Sequence, residues 1–461
     1  MAAARLSGTK SCAGCSAMDD RVLPPVLVVM LDGLGDRPWA ELGGLTPLAA
    51  AHTPNLDAIA AAGTTGILHP LGRGRAPGTE LAHFVLLGYD ELAFPGRAVL
   101  EATSAGIPIS PGQVCAHAIL VTVRRNPDDT LTIVERYPEG GLEHAAELFA
   151  AIETFEHEGV SVTLRHTCGE QAIVLLGGEA SEEITDTDPH NDGWLAGSVH
   201  PLRGARDPRR AALTARALTA FLRHAYTAMR GMTGTAPGDE TSPFLLIKWT
   251  ARGAAFPTFA EQTGMRGCVI SASGVLEGLS LALGMAHRMV PLGSDIAADT
   301  RARLAEAADA FATGAHFVLA HTKAPDEAGH AKNPSLKRDV IAAIDAGLEG
   351  LATRRGFPAG TIVVVTGDHG TPSGTSLIHS GDPVPLAVIS DAAQRDSVAA
   401  FDELACAAGS LGHVRGTDFM PMLLNWRGTV RYSGGLLATH TGVHWPDDYE
   451  PFTVESNGPG S

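Results

Sequence analysis

Short apolar runs that stop abruptly at polar residues recur along this chain. PPVLVVMLDGLGD (24–36), HFVLAHT (316–322) and TIVVVTGDHG (361–370) are the clearest of them. Continuous apolar runs of this length, rich in β-branched residues, read as strands buried on both faces of a parallel sheet. Between them lie segments with helical spacing. TPNLDAIAAAG predicts a helix with Thr53 as N-cap, Pro54 in the first position and Gly63 as the stop. Further helices are predicted at about 273–287, 298–313 and 335–353. Strands alternating with helices predict an α/β fold with a doubly wound, mostly parallel sheet, which collects ligands at the C-terminal ends of its strands.

From 113 to 236 the pattern changes. AHAILVTVRR, TLTIVER, VSVTLRH and QAIVLLGG read as strands, interleaved with helices such as GLEHAAELFAAIETF. This predicts an α+β unit inserted into the first domain, closed by the turn-rich MTGTAPGDETSP, after which FLLIKW is expected to resume a core strand. The expected organisation is a leader at 1–21, disordered and rich in Ser, Gly and Ala, a catalytic domain from 22–112 and 237–461, and an inserted cap at 113–236. No internal repeat is visible.

Length supports two domains, because 461 residues exceed one ordinary core. A formal charge of -17 argues against nucleic acid or an anionic membrane as partner and in favour of small molecules. No apolar run reaches membrane-spanning length and no signal pattern opens the chain, so a cytoplasmic protein is expected. Of the six cysteines, Cys12 and Cys15 form a CxxC in the leader, for which a tail is the plainer reading and a metal or redox role the alternative. Cys115, Cys168, Cys268 and Cys406 are expected in the core.

The polar residues that end these runs carry candidate chemistry. Asp32 ends the first strand; Asp368 and His369 end TIVVVTGDHG, and His379 follows ten residues later in a turn-rich stretch. Asp326 and His330, at i, i+4 in DEAGH, share a face if that segment forms a helical turn. Mixed carboxylate and imidazole donors suit Zn²⁺ or Mn²⁺. Thr79 follows the Gly/Arg/Pro loop GRGRAPG and precedes the helical pattern ELAHFVLLGYD, where the helix N-terminus favours a phosphoryl group. An ordinary N-cap threonine remains the alternative. Two divalent ions about 3.5–4 Å apart would clamp an in-line phosphoryl displacement and activate the Thr79 hydroxyl without a histidine base.

The phrases LDGLGDRPWAELGGLTPLAAAHTPNLD, PGTELAHFVLLGYD, GRAVLEATSAGI, ITDTDPH, RGAAFPTF, KAPDEAGH and TGDHGTPSGTSLIHSGDPVPL, in order from about 26 to 390, resemble the archaeal-type cofactor-independent phosphoglycerate mutases of the alkaline phosphatase superfamily. The resemblance implies an alkaline-phosphatase-like catalytic domain with two divalent ions, Mn or Zn with Mg or Co as further options, and no 2,3-bisphosphoglycerate. It implies that Asp326, His330 and His379 hold one ion and that Asp32, Thr79, Asp368 and His369 hold the other, with Thr79 carrying the covalent intermediate. Arg97, His190, Arg252 and Lys323 match family positions and are the substrate-side candidates.

The chain also departs from the family. Thr79 stands where members usually carry Ser. His117 stands near a family Arg, ERYPEGG replaces an Arg-rich stretch, Glu170-Gln171 replaces a His-Arg pair, and AKNP replaces acidic residues after DEAGH. Arg forks grip carboxylate and phosphate in two-pronged fashion, and neutral Gln does not. The preferred expectation is therefore a phosphoryl or phosphonyl transferase acting through Thr79 on a phosphoglycerate-like carboxylic acid. An activated, nucleotide-linked donor and a place in specialised metabolism are included in that reading. A 3-phosphoglycerate/2-phosphoglycerate mutase is the first alternative and a phosphatase or phosphodiesterase the second. Oligomeric state is not legible.

Overall fold

Strand β1, Val26–Leu31, is buried at every position, and its neighbours explain why. In the computed structural model, which describes residues 23–136, 142, 144–233 and 241–430, it is central in an eight-stranded sheet. The leader 1–21, with Cys12 and Cys15, lies outside the described residues, as does most of ERYPEGG. After β1 and β2, Thr64–His69, the chain leaves this sheet. It forms a second, six-stranded sheet from β3 Val114–Arg125, β4 Leu131–Glu135, β5 Thr154–His157, β6 Val160–Cys168, β7 Gln171–Leu176 and β8 Thr241–Arg252. It then returns with β9 Gly267–Ser271, β10 Ala286–Met289, β11 Phe317–Thr322, β12 Ile362–Thr366, β13 Val384–Ile389 and β14 Gly412–Arg415.

The first sheet runs β10-β9-β11-β1-β12-β13-β2-β14. All its pairings are parallel except the two made by β13, which is antiparallel to both β12 and β2. Because side chains alternate along a strand, β1 feeds two cores. Val26, Val28 and Met30 join one cluster with Phe84, Leu100 and Phe419, and Leu27, Val29 and Leu31 join another with Ile59, Ile341 and Ile344. Helices therefore cover both faces, as the alternating pattern predicts. The second sheet has its own core, in which the helix Pro208–Thr233 packs Leu218, Phe221 and Leu222 against Leu245 and Ile247 of β8.

Several expectations change in detail. FLLIKW does not resume the first sheet: it lies in β8, antiparallel to β3 in the second sheet. The helix Pro208–Thr233 packs on β8, whose positions 242–248 are all buried, so FLLIKW shows the same unbroken apolar run as a parallel-sheet strand. The helix expected over 273–287 ends at Ala282, and β10 follows. IETF does not extend the helix before it, because Thr154–His157 pairs with β6. Cys115, Cys268 and Cys406 are buried, but Cys168 is exposed at the end of β6. Among the described residues no helix is long and apolar enough to cross a membrane.

Candidate metal centre

β11, β1 and β12 are adjacent and parallel, so their C-terminal ends open on one edge. Asp32 follows β1 directly, and Asp368 and His369 follow β12. After β11 the chain turns at Lys323 into the helix Ala324–His330, which presents Asp326 and His330. Gly33 permits this convergence. Its φ is +67°, and a Cβ there would lie 2.6 Å from Thr371 Oγ1 and 2.8 Å from the Asp326 backbone.

Two tight triads result, Asp32–Asp368–His369 and Asp326–His369–His379. His369 Nε2 lies 3.1 Å from Asp32 Oδ1 and 3.4 Å from Asp368 Oδ2, and its ring stacks on His379 at 3.7 Å. His379 Nε2 is 3.7 Å and His330 Nε2 3.2 Å from Asp326 Oδ1. His369 is thus within reach of both groups, whereas the family resemblance gives it to one. His330 is half-exposed and lies outside the tight triads.

The hydrogen bonds orient these donors. His379 donates from Nδ1 to Pro77 O at 2.7 Å, which leaves the Nε2 lone pair facing the site. Thr371 Oγ1 donates to Asp326 Oδ1 at 2.6 Å and accepts from His369 Nδ1 at 3.2 Å, which turns Nε2 toward the site. Asp32 Oδ1 and Asp368 Oδ2 are buried without hydrogen-bond partners.

Electrostatics at this edge call for a cation. Burial and the neighbouring Asp32 charge push the Asp368 carboxyl well above the usual range. Burial also raises Asp32, but the His321 and His369 contacts and the Lys323 charge outweigh it and hold that carboxyl well below its ordinary value. Burial opposes a charged His369, yet Asp368 and Asp32 raise it to about 9. Two carboxylate oxygens without hydrogen-bond partners, the free Nε2 of His379, and a His369 Nε2 that would give up its proton on binding form a donor set that fits borderline divalent ions.

Thr79 is the first residue of the helix Thr79–Leu86, not its cap. Gly78 occupies the cap position, and the Thr79 hydroxyl points to His369 Nε2 at 3.2 Å. Lys323 Nζ lies between the triads, 2.7 Å from Asp326 Oδ2 and 3.6 Å from Asp32 Oδ2. Arg97 reaches Glu80 at 3.5 Å and lines a cavity of about 480 Å³ together with His117, Gln171, Lys248 and Trp249. The other two substrate-side candidates behave differently. Arg252 spends its guanidinium on Glu182, Gly112 O and Ala180 O, as a tie at the end of β8. His190 is held through its backbone by Asp188 and stacks 6.1 Å from Trp249.

Some participants were missed in the sequence. His321 Nε2 contacts Asp32 Oδ2 at 3.1 Å, and buried His83 contacts the Thr79 carbonyl at 2.7 Å. The i, i+4 spacing of Thr79 and His83 was a usable signal; His321 was hidden inside an apolar strand. Lys337, also missed, is fully buried and donates to Gly33 O, Gly35 O, Thr371 O and Asp36 Oδ2 at 2.8–3.0 Å. It ties the loop after β1 to the loop after β12.

Comparison with known proteins gives the family and the fold. Residues 24–426 match the metalloenzyme superfamily. The 2,3-bisphosphoglycerate-independent phosphoglycerate mutase of Methanoculleus marisnigri is 35% identical over 417 residues, covering 87% of this chain and 96% of that one. The namesake enzyme of Thermoplasma acidophilum is 34% identical, covering 88% and 98%. A solved cofactor-independent phosphoglycerate mutase from Thermoplasma acidophilum superposes with a TM-score of 0.59 at 31% identity, covering 88% of this chain and all of that one. The PH0037 protein from Pyrococcus horikoshii shares the fold, with a TM-score of 0.69 at 24% identity over 90% of this chain and all of that one. This chain belongs to the metalloenzyme superfamily and, within it, to the archaeal-type cofactor-independent phosphoglycerate mutases, a family of metal-dependent phosphotransferases.

Proposed function

We propose that this chain transfers a phosphoryl or phosphonyl group to and from Thr79, acting on a phosphoglycerate-like carboxylic acid. The donor in this reading is activated, nucleotide-linked, and part of specialised metabolism. The observation that carries the Thr79 assignment is its hydroxyl, which caps nothing and faces His369 Nε2 at 3.2 Å. Asp32, Asp368 and His369 would hold one divalent ion with Thr79, and Asp326, His330 and His379 the other. Mn²⁺ or Zn²⁺ suits these donors, with Mg²⁺ or Co²⁺ as further options; when bound, such ions polarise phosphoryl oxygens and lower the pKa of a coordinated hydroxyl.

The chain's own groups do the rest. Thr79 Oγ1, losing its proton to solvent, forms the bond to phosphorus as the donor's bond to phosphorus breaks and the rest of the donor departs with that electron pair. An acceptor hydroxyl, losing its proton in turn, later forms its bond to phosphorus as the Thr79 oxygen leaves and regains a proton. The helix N-terminus at Thr79 favours the negative phosphoryl oxygens. Burial works against a charged Lys323, but the Asp32 and Asp326 charges outweigh it and hold its pKa above the usual range. Lys323 Nζ, 2.7 Å from Asp326 Oδ2 and 3.6 Å from Asp32 Oδ2, sets a positive charge beside the transferred group. In this reading the second sheet with its helix, about 113–252, forms the cap that shields the intermediate from water. Its cavity offers neutral Gln171, and His117 whose pKa burial lowers to about 4, where the family resemblance implies arginines. This favours an altered substrate over 3-phosphoglycerate alone.

The mutase reading has its own support in the 31–35% identity to relatives that bear that name. One experiment separates the two. Protein loaded with Mn²⁺ or Zn²⁺ is given 3-phosphoglycerate alone, then 3-phosphoglycerate with nucleotide-linked phosphonate donors, with mass spectrometry of Thr79. Rapid formation of 2-phosphoglycerate supports the mutase. A donor-dependent adduct on Thr79 supports the transferase, release of inorganic phosphate alone supports a hydrolase, and full turnover without Thr79 modification removes the Thr79 reading.

A further inference from the structure

Trp249 has a backbone that tryptophan rarely adopts. Its φ is +56°, in the left-handed region that disfavours bulky side chains. The cause is a bulge: Cys115 pairs with Ala251 and His117 with Lys248, so Trp249 and Thr250 together oppose Ala116. Bulges re-aim side chains beside active sites, and the left-handed position in one is commonly glycine. Here the Asp186 carboxylate holds the strained residue by accepting its backbone N–H at 2.8 Å. The indole is thereby aimed into the 480 Å³ cavity, among Arg97, His117 and Lys248.

Two cations lie against that ring. The Arg97 guanidinium carbon is 3.9 Å and Lys248 Nζ 4.2 Å from the ring centroid. They come from different parts of the fold. Arg97 opens the helix Arg97–Ser104, whose apolar face packs on Cys115, Ile173 and Ala251 of the second sheet. Lys248 is anchored in the second sheet by Asp188 at 2.8 Å. Arg97 also reaches Glu80, the residue after Thr79. A guanidinium stacked by its face on an aromatic ring presents its N–H edge to anions, and here Nε donates to Glu101 at 3.2 Å, so a substrate carboxylate would share the remaining edge with Glu80.

We propose that Trp249 is a specificity-determining residue: it fixes Arg97 as the fork for the carboxylate end of a small phosphorylated acid and walls off the space a bulkier acid would fill. This rests on the phosphotransfer reading for the identity of the acid, not for the geometry. Trp249 acts through Arg97 and is a positioning residue.

The test is calorimetric binding of 3-phosphoglycerate and, separately, inorganic phosphate to the Mn²⁺-loaded protein. Trp249→Leu should weaken 3-phosphoglycerate about tenfold, and Trp249→Phe, which keeps a ring, less than threefold. Phosphate affinity should change less than twofold, because phosphate needs only the Thr79 floor. Arg97→Gln should weaken 3-phosphoglycerate similarly, and the double variant should be no weaker than Arg97→Gln alone. Unchanged 3-phosphoglycerate affinity in Trp249→Leu, equal loss for both ligands, or additive losses would each overturn the proposal. So would a wild-type protein that binds phosphate but not 3-phosphoglycerate at millimolar concentration. If the coupled binding pattern holds while Thr79 takes up no group, the Trp249 inference stands and the Thr79 reading falls.

Discussion

Replacing Lys337 with Met should cost this protein a large part of its stability. The ammonium is fully buried and supplies hydrogen bonds to three carbonyls, Gly33 O and Thr371 O at 2.8 Å and Gly35 O at 3.0 Å, and to Asp36 Oδ2 at 3.0 Å. Methionine fills similar volume but supplies no donor. Asp36 keeps other donors, since its carboxylate also accepts from Arg37 N, Trp39 Nε1 and Ser373 N, yet it loses its only buried counter-charge among the described residues. Breaking a buried pair from one side costs about 3–5 kcal/mol, a substantial share of the roughly 5–15 kcal/mol typical of a folded protein. Urea unfolding followed by circular dichroism should show the midpoint falling with little change in slope. Lys337→Met/Asp36→Asn should recover about half the loss, because the uncompensated charge is gone. Gly33 adjoins Asp32 and Thr371 lies two residues from His369, so metal affinity in Lys337→Met should drop as well. A loss under about 1 kcal/mol, or a double variant no better than the single, would refute the idea that this lysine holds the two loops together.

Other perturbations have separate outcomes. Thr79→Ala should abolish group transfer while leaving the circular dichroism spectrum and most metal uptake intact, and full turnover in that variant would remove the nucleophile assignment. Chelation should lower the melting temperature by about 5–10 °C, because an ion at a hundred times its Kd adds about 2.7 kcal/mol; Mn²⁺ or Zn²⁺ should restore it, and an unchanged melting temperature would argue against an ion at these triads. Glu403 gives a pH signature. Burial raises its carboxyl to about 6, above the unfolded value of 4.5, despite the Thr46 hydrogen bond and the Lys337 charge. A raised folded pKa means that its stabilising contribution is full below pH 4.5 and is lost as pH rises through 6. Glu403→Gln should match the wild type near pH 4.5 and exceed it by about 1–2 kcal/mol at pH 8, and equal stability at both pH values would contradict the buried carboxylate.

Part of the candidate metal centre was legible in the sequence because Asp32, Asp368 and His369 stand just past strands whose apolar runs are unmistakable. Asp32 and Asp368 are read from where β1 and β12 stop, and the parallel sheet brings those stops together without further information. Lys337 was not legible. It sits in an ordinary helical pattern, PSLKRDVIAAIDAG, and only the tertiary placement of that helix over the loops after β1 and β12 makes its ammonium internal. β8 was legible as a strand but not as a member of the second sheet, since burial by the helix Pro208–Thr233 and burial within a parallel sheet leave the same trace. Trp249 was hidden more deeply, because its importance comes from a bulge register and a positive φ, and neither writes a pattern into neighbouring residues.

The cap adds a consequence for the substrate's charge. Counting arginines in the sequence suggested a cap poor in cations, but Lys248 and Arg136 both bond Asp188, in the cluster against Trp249. Their charge is partly answered there. At the cavity itself Arg97 contacts Glu101, and His117 stays neutral near pH 7, since burial and the Lys248 charge lower it to about 4. The cavity therefore offers fixed direction with little surplus positive charge. Direction without surplus favours a ligand of modest negative charge held at a defined angle, and a compact trianion would find its third charge weakly answered.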